Sequence, residues 1–369
     1  MIPYSKLGKY FIASRILFLL FAFLAIFFVP LQEGYIGRQV STQEASFLTW
    51  SWANFDGRHF INIARLGYRN FDFAYFPLYP ILISLLGYIV PHVWAGIIIS
   101  TVALVLAIYV VYKLIELDFS KETANLAVFL ILLFPLSFFY HSVYPDSLFL
   151  LFSTTSFYFA RKDKWWLAGI FCGLTIVTRL SGVALVTALA VEWYLQYKNR
   201  PLYLNKLVGA LTLGTSGLVG YMVYLWYYFG DPLLFQKSMS AWNQGAWVFP
   251  PQVVFRYLKI FFFVNKNLVV YWIAALEFVS FFAYLLLAFF VYKRVRRSYG
   301  VFMFVLLLLV TFTGTFAGTP RYMLHLFPGF IGMSLIFQKS NVVKYGLLVL
   351  FLALGFVLTG LFTRGYFVG

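Results

Sequence analysis

Val301-Phe-Met-Phe-Val-Leu-Leu-Leu-Leu-Val310 is an unbroken apolar run with no charge and no alternation of polar and apolar residues. A strand of an outer-membrane barrel would alternate, one face to lipid and one to the lumen. A segment that crosses hydrocarbon must also satisfy its own backbone hydrogen bonds, so the run reads as helix. Similar runs recur through 369 residues that are 62% hydrophobic and 11% charged, with a mean hydropathy of +0.85. The chain is therefore expected to be an all-α polytopic membrane protein.

About 11 transmembrane helices are expected, at 11–30, 93–112, 123–140, 147–160, 165–181, 182–197, 207–229, 268–291, 299–317, 323–338 and 345–362. With the N-terminus inside, the connections Lys113–Glu122, Arg161–Lys164, Lys198–Lys206, Lys293–Arg297 and Lys339–Lys344 fall on the cytoplasmic side, as the positive-inside rule asks. Phe76–Val90 is apolar but short and ends at Pro91-His92. If it crossed, the cluster at Lys293–Arg297 would face outward, so it reads as an interfacial or re-entrant helix within a long first external loop running from Leu31 to about His92. A second long loop, Gly230–Asn267, carries enough Trp, Tyr and Pro to lie along the interface. Nothing divides the chain, and residues 1–369 are read as a single membrane domain.

The formal charge of +16 reflects basic residues held beside anionic membrane lipids; a nucleic-acid partner is not expected. Cys172 is alone, which excludes an intrachain disulfide and a thiolate metal cluster. The first apolar segment follows Lys6, Lys9 and Arg15 and lacks a small-residue cleavage site before Gln32, so it reads as a retained helix. No zinc-ligand spacing, phosphate loop or dinucleotide fingerprint is present, and neither a metal nor a cofactor is expected.

Polar residues gather on the expected external face. Asn54-Phe-Asp-Gly-Arg-His-Phe-Ile-Asn-Ile-Ala-Arg-Leu-Gly-Tyr68 sets Asp56 at the mouth of a helix spanning Gly57–Leu66, with Arg58, His59 and Arg65 nearby. As a plain structural feature Asp56 would cap that helix and pair locally. Tyr140-His-Ser-Val-Tyr-Pro-Asp146-Ser147 interrupts two spans, and Asp146 is suited either to cap the second or to meet a ligand. Arg179, in Thr178-Arg-Leu-Ser-Gly182, either snorkels to water or meets an anion. Asp231 in Gly230-Asp-Pro232 reads first as a turn former. In Gly318-Thr-Pro-Arg321-Tyr322 the proline opens a helix, leaving Arg321 and His325 four residues apart on one face. Such a basic pair at a helix start suits a phosphate or, more plainly, lipid head groups. The cytoplasmic basic clusters read as topology determinants alone.

Phe55-Asp-Gly-Arg-His-Phe60 with Ile63-Ala-Arg-Leu-Gly-Tyr68, then Phe76-Pro-Leu-Tyr-Pro80, resembles the first external loop of the PIG-V type of GPI mannosyltransferase 2 relatives. Tyr140–Phe149 resembles that family's second signature, and Arg179–Gly182, Gly230–Pro232 and Pro320–Tyr322 follow in matching order. Phe55 stands where the family often has Trp, and His59 replaces a second ring before Phe60. The resemblance implies a GT-C-like glycosyltransferase in the plasma (inner) membrane, its active site on the extracytoplasmic face. It would take a polyprenyl-phosphate-linked sugar, mannose by family, and pass it to a lipid or glycan acceptor. Asp56 is then the catalytic acid of the first loop. As a carboxylate it would take the proton of the attacking hydroxyl, with inversion at C1. Arg321, assisted by His325 or Arg58, would hold the donor phosphate, and His59, Asp146, Arg179 and Tyr75 the sugar or acceptor. The alternative is a transporter or flippase for an anionic or lipid-linked solute, with Arg179 and Arg321 as its binding site. Against it, the polar residues gather at one face and no paired half-repeats are visible. A purely structural subunit would leave these charges without a shared purpose.

Overall fold

In an apolar chain the helix is the element that satisfies its own backbone, and here proline, glycine and polar residues mark where it stops. The computed structural model describes residues 3–33, 35, 46–69, 71–198, 204–242, 244 and 247–368. In chain order its α-helices are α1 Pro3–Phe28, α2 Phe47–Trp50, α3 Asp56–Leu66, α4 Leu78–Leu86, α5 His92–Ile115, α6 Lys121–Leu133, α7 Asp146–Arg161, α8 Trp165–Thr178 and α9 Ala184–Tyr197. These are followed by α10 Leu204–Phe229, α11 Leu234–Ser238, α12 Pro250–Phe263, α13 Val269–Arg294, α14 Arg297–Thr311, α15 Thr319–Tyr322, α16 Phe327–Phe337 and α17 Asn341–Thr363.

Among the described residues, α1 from Lys6, α5, α10, α13 and α17 are long and apolar enough to cross a membrane; α8, α14 and α16 are apolar but shorter. The nine residues of α4 extend about 14 Å at 1.5 Å per residue, too little for a hydrocarbon core of about 30 Å. Two expected spans are broken. The helix within 123–140 ends at Leu133, because Pro135 drives Phe134 to extended backbone, and a 3-10 turn follows at Ser137–His141. Within 323–338 the helix starts only at Phe327, after the four-residue α15 and a run of turns. Residues 199–203 of the Lys198–Lys206 connection lie outside the described residues, as do 34, 36–45 and 70 of the first long loop and 243, 245 and 246 of the second.

The chain divides into two units. The first comprises Met1–Gly67, Pro77–Thr154 and Met333–Val368. In it α1 packs along α17 through Phe18, Phe21 and Phe356, and a Cβ added at Gly360 would come within 3.0 Å of the Ala25 Cβ. The second comprises Tyr68–Phe76 and Thr155–Gly332. Its tightest pair is α8 with α10. A Cβ at Gly169 would stand 2.6 Å from the Ala210 carbonyl oxygen, and one at Gly173 would stand 2.8 Å from that of Leu213. Gly169-x-x-x-Gly173 is thus a small-residue stripe that lets two apolar helices meet backbone to backbone.

A buried charge knot joins α9 to the start of α14. Glu192 has no exposed surface, and Arg296 grips it with two bonds of 2.6 Å, from Nε and Nη2. Ser298 Oγ donates at 2.6 Å, Gln196 Nε2 donates at 2.7 Å, and Arg161 lies 3.5 Å away. Arg296 was expected only to set topology; here it also neutralises a fully buried acid.

Gly169→Val should destabilise the protein by about 2–3 kcal/mol through forced separation of α8 and α10, read as a lower detergent-denaturation midpoint. Glu192→Leu should cost about 3–5 kcal/mol by leaving Arg296 without its counter-charge; in the same assay a midpoint equal to wild type would refute this role for Glu192.

Candidate active site

Asp56 is the first residue of α3, and the position before it is unusual. Phe55 holds φ 55° and ψ −115°, values at which a type II′ turn normally carries Gly. The turn closes with Gly57 N donating to Asn54 O at 3.2 Å and Arg58 N to Phe55 O at 3.1 Å. A phenylalanine in this conformation stores about 1–3 kcal/mol of strain. On the plain structural alternative to a catalytic role, Asp56 would cap the helix from outside. Phe55 occupies the cap position instead, with no side-chain cap bond, and Asp56 lies within the first turn, where the positive end of the helix favours a carboxylate. Asp56, Arg58 and His59 are half-buried, while Gly57, Phe60, Ile61 and Ile63 form the inward face.

The second signature holds this turn in place. Val143 N donates to Trp52 O at 2.9 Å, and Tyr144 Oη donates to Asn54 O at 2.7 Å. A Cβ at Gly57 would meet Val143 O at 3.2 Å, so the glycine after Asp56 permits the close approach. Behind it, Ser100 Oγ donates to Tyr144 O at 2.8 Å and exchanges a second 2.8 Å bond with Tyr79. Asp146, expected to touch sugar or acceptor, has no exposed surface at the start of α7, in electrostatic range of the Tyr79 and Tyr140 hydroxyls.

Arg15 completes that support. Its guanidinium donates to Ser137 O at 2.9 Å, Ser137 Oγ at 3.2 Å and Leu132 O at 3.4 Å, meeting carbonyls left open where α6 breaks. It also meets His141 Nδ1 at 2.9 Å. Arginine can only donate, so Nδ1 accepts and the His141 proton sits on Nε2, with the ring 4.4 Å from Trp52. Before Asp56, Asn54 Nδ2 donates to Phe362 O at 2.7 Å and Asn54 Oδ1 accepts from the Tyr35 hydroxyl. Burial pushes the Tyr35 phenol up to about 12, against the pull of Asn54, Arg364 and Arg58, so it keeps its proton.

The second unit gathers a different group. Arg179, extended after α8, lies 5.2 Å over the Tyr322 ring with Nη2 3.5 Å from its hydroxyl, and the Tyr322 and His325 rings stand 5.6 Å apart. Arg321 and His325 are buried. Because α15 ends at Tyr322, the two do not share a helix face, and a helix of four residues supplies no phosphate-binding dipole. The loop before them is pinned. Tyr257 donates to Glu277 Oε2 at 2.6 Å and accepts from Phe316 N at 3.1 Å; Arg256 Nη1 donates to Gly314 O at 2.9 Å, and Tyr284 to Pro320 O at 3.2 Å. Tyr75 is half-buried, its carbonyl accepting from Tyr68 at 2.7 Å and its ring edge-on to Trp242 at 5.7 Å, in a neighbourhood of rings suited to a sugar face. Asp231 initiates a turn, as expected. It accepts from Leu233 N at 2.9 Å and pairs with Lys237 at 2.5 Å, and these two partners hold its carboxyl below the usual range. No group of three or more metal-ligating side chains occurs among the described residues.

Asn54 stands two residues before Asp56 with nothing in the sequence to give it a role, Tyr35 and Trp52 carry no signal beyond being aromatic, and Tyr144 is marked only by lying within the second signature. Glu192 and Glu277 were each visible as an acid in an apolar run.

Residues 76–227 match the profile of the family described as dolichyl-phosphate-mannose-protein mannosyltransferase. No curated protein matches. Among solved structures the chain is similar to the oligosaccharyltransferase of Archaeoglobus fulgidus. In its apo form the identity is 15% and the TM-score 0.46; tethered to an acceptor peptide containing the NVT sequon they are 13% and 0.48. The same organism's AglB, in complex with an inhibitory peptide and a dolichol-phosphate, gives 15% and 0.46. Each match covers 99% of this chain and 56% of the other, so the chain spans little more than half the length of these proteins.

Phe55→Gly should leave the protein more stable than Phe55→Ala, by about 1 kcal/mol or more, because glycine alone relieves the positive φ. In an ordinary helical position the order reverses; denaturation midpoints of the two variants decide.

Proposed function

We propose that this chain is a GT-C-type glycosyltransferase of the inner membrane, acting as one domain. It moves mannose from a polyprenyl-phosphate carrier to an extracytoplasmic lipid or glycan acceptor. The observation that carries the reading is Asp56, a half-buried carboxylate at a helix start, presented on a strained turn that the second signature holds from behind. The family profile over 76–227 supports a donor of this class.

In the proposed reaction the acceptor hydroxyl oxygen forms a bond to the sugar C1 as its proton passes to Asp56. The C1–oxygen bond to the lipid phosphate breaks on the opposite side, and the configuration at C1 inverts. Arg321, aided by His325 or Arg58, offsets the negative charge that grows on the leaving phosphate. Arg179, His59 and Tyr75 are assigned to sugar or acceptor.

The test is transfer of radiolabelled mannose from polyprenyl-phosphate mannose, beside the glucose carrier, to an organic-extractable acceptor fraction by purified protein. Asp56→Asn should lower turnover by about 10²–10⁴-fold while folding and donor binding persist. Equal turnover by Asp56→Asn would remove the base assignment, and no transfer from either donor would favour transport of a lipid-linked solute.

A further inference from the structure

We propose that Asn54 is a positioning residue for the Asp56 carboxylate, acting as a latch between the strained turn and the last turn of α17; this rests on the reading of Asp56 as the base. Asn54 is 3% exposed, and its side-chain nitrogen, its side-chain oxygen and its backbone carbonyl each have a partner. Its amide nitrogen donates to Phe362 O at 2.7 Å, which fixes the orientation of the side chain, because a carbonyl only accepts. The side-chain oxygen then faces the Tyr35 hydroxyl, and the backbone carbonyl takes Tyr144 Oη at 2.7 Å.

The far side of the latch is itself tied down. Arg364 Nε donates to Val29 O at 3.0 Å, and Gln32 N donates to Arg364 O at 3.0 Å. Gly365, at φ 92°, lets the Tyr35 ring lie where a Cβ would stand 2.6 Å from it. The Phe55 ring packs between Phe362, at 5.9 Å, and Phe367, at 5.5 Å. None of these contacts caps α3. They hold a residue in a conformation it would otherwise leave, and the next residue is Asp56. Release of Phe55 to an ordinary conformation would swing the start of α3 and carry the carboxylate with it. Misplacement of that kind acts on the chemical step more than on donor affinity.

The experiment uses the full-length protein in lipid nanodiscs, polyprenyl-phosphate mannose as donor, and Asn54→Ala beside Tyr35→Phe. Asn54→Ala should lower kcat by about 10²-fold with donor KM unchanged, and Tyr35→Phe by about 2–10-fold in the same direction. Hydrogen exchange at amides 55–58 should quicken in both variants while α5 stays protected, a readout that needs no substrate. Wild-type exchange at 55–58 in folded Asn54→Ala would overturn the latch, as would a raised KM at unchanged kcat. If Asn54→Ala does not fold, Tyr35→Phe carries the same two criteria. Retained turnover in Asp56→Asn would instead sink the base assignment, with the exchange result still deciding the latch.

Discussion

Backbone that leaves a helix inside apolar surroundings must find its hydrogen-bond partners elsewhere, and most of the unusual side-chain placements in the first unit follow from that need. When α6 breaks before Pro135, the carbonyls of Leu132 and Ser137 lose intrahelical donors; Arg15, from the middle of α1, supplies them. One guanidinium meets two carbonyls, two hydroxyls and an imidazole, a task for which its rigid fork of donors suits it better than an ammonium. With those groups satisfied, Ser142–Tyr144 is free to use its own amide and hydroxyl on Trp52 and Asn54, and so to hold the Asp56 turn.

The turn concentrates strain where chemistry is proposed. Phe55 adopts a conformation suited to glycine, and it is held there by rings on one side and hydrogen bonds on the other. Gly57 contributes by absence, since a methyl group there would crowd Val143 O. Strain of this kind persists only where the surroundings over-determine the backbone.

Buried charges have structural work as well as topological meaning. Arg296 neutralises Glu192 with bidentate geometry, and Glu277 anchors Tyr257 against the loop that leads to Arg321. In each case the acid has neighbours that satisfy its oxygens, which makes such a group tolerable away from water.

How much of this was legible beforehand differs by level. Composition and unbroken runs such as Val301–Val310 determined an all-helical membrane chain, because hydrocarbon admits only helices and closed barrels and a run without alternation excludes the barrel. Asp56 and the signature around Asp146 stood out as polar interruptions, and the Pro320 helix start and the Asp231 turn followed from local backbone rules. Tertiary structure alone decided what those residues meet. It buried Asp146, put Phe55 and not Asp56 in the cap position, ended α15 before His325 and turned Arg15 into the partner of a broken helix. These outcomes depend on pairings across large separations in sequence, 122 residues for Arg15 with Ser137 and 308 for Asn54 with Phe362. Periodicity and turn chemistry report on neighbours along the chain, whereas hydrogen-bond satisfaction is settled by whichever groups packing brings together.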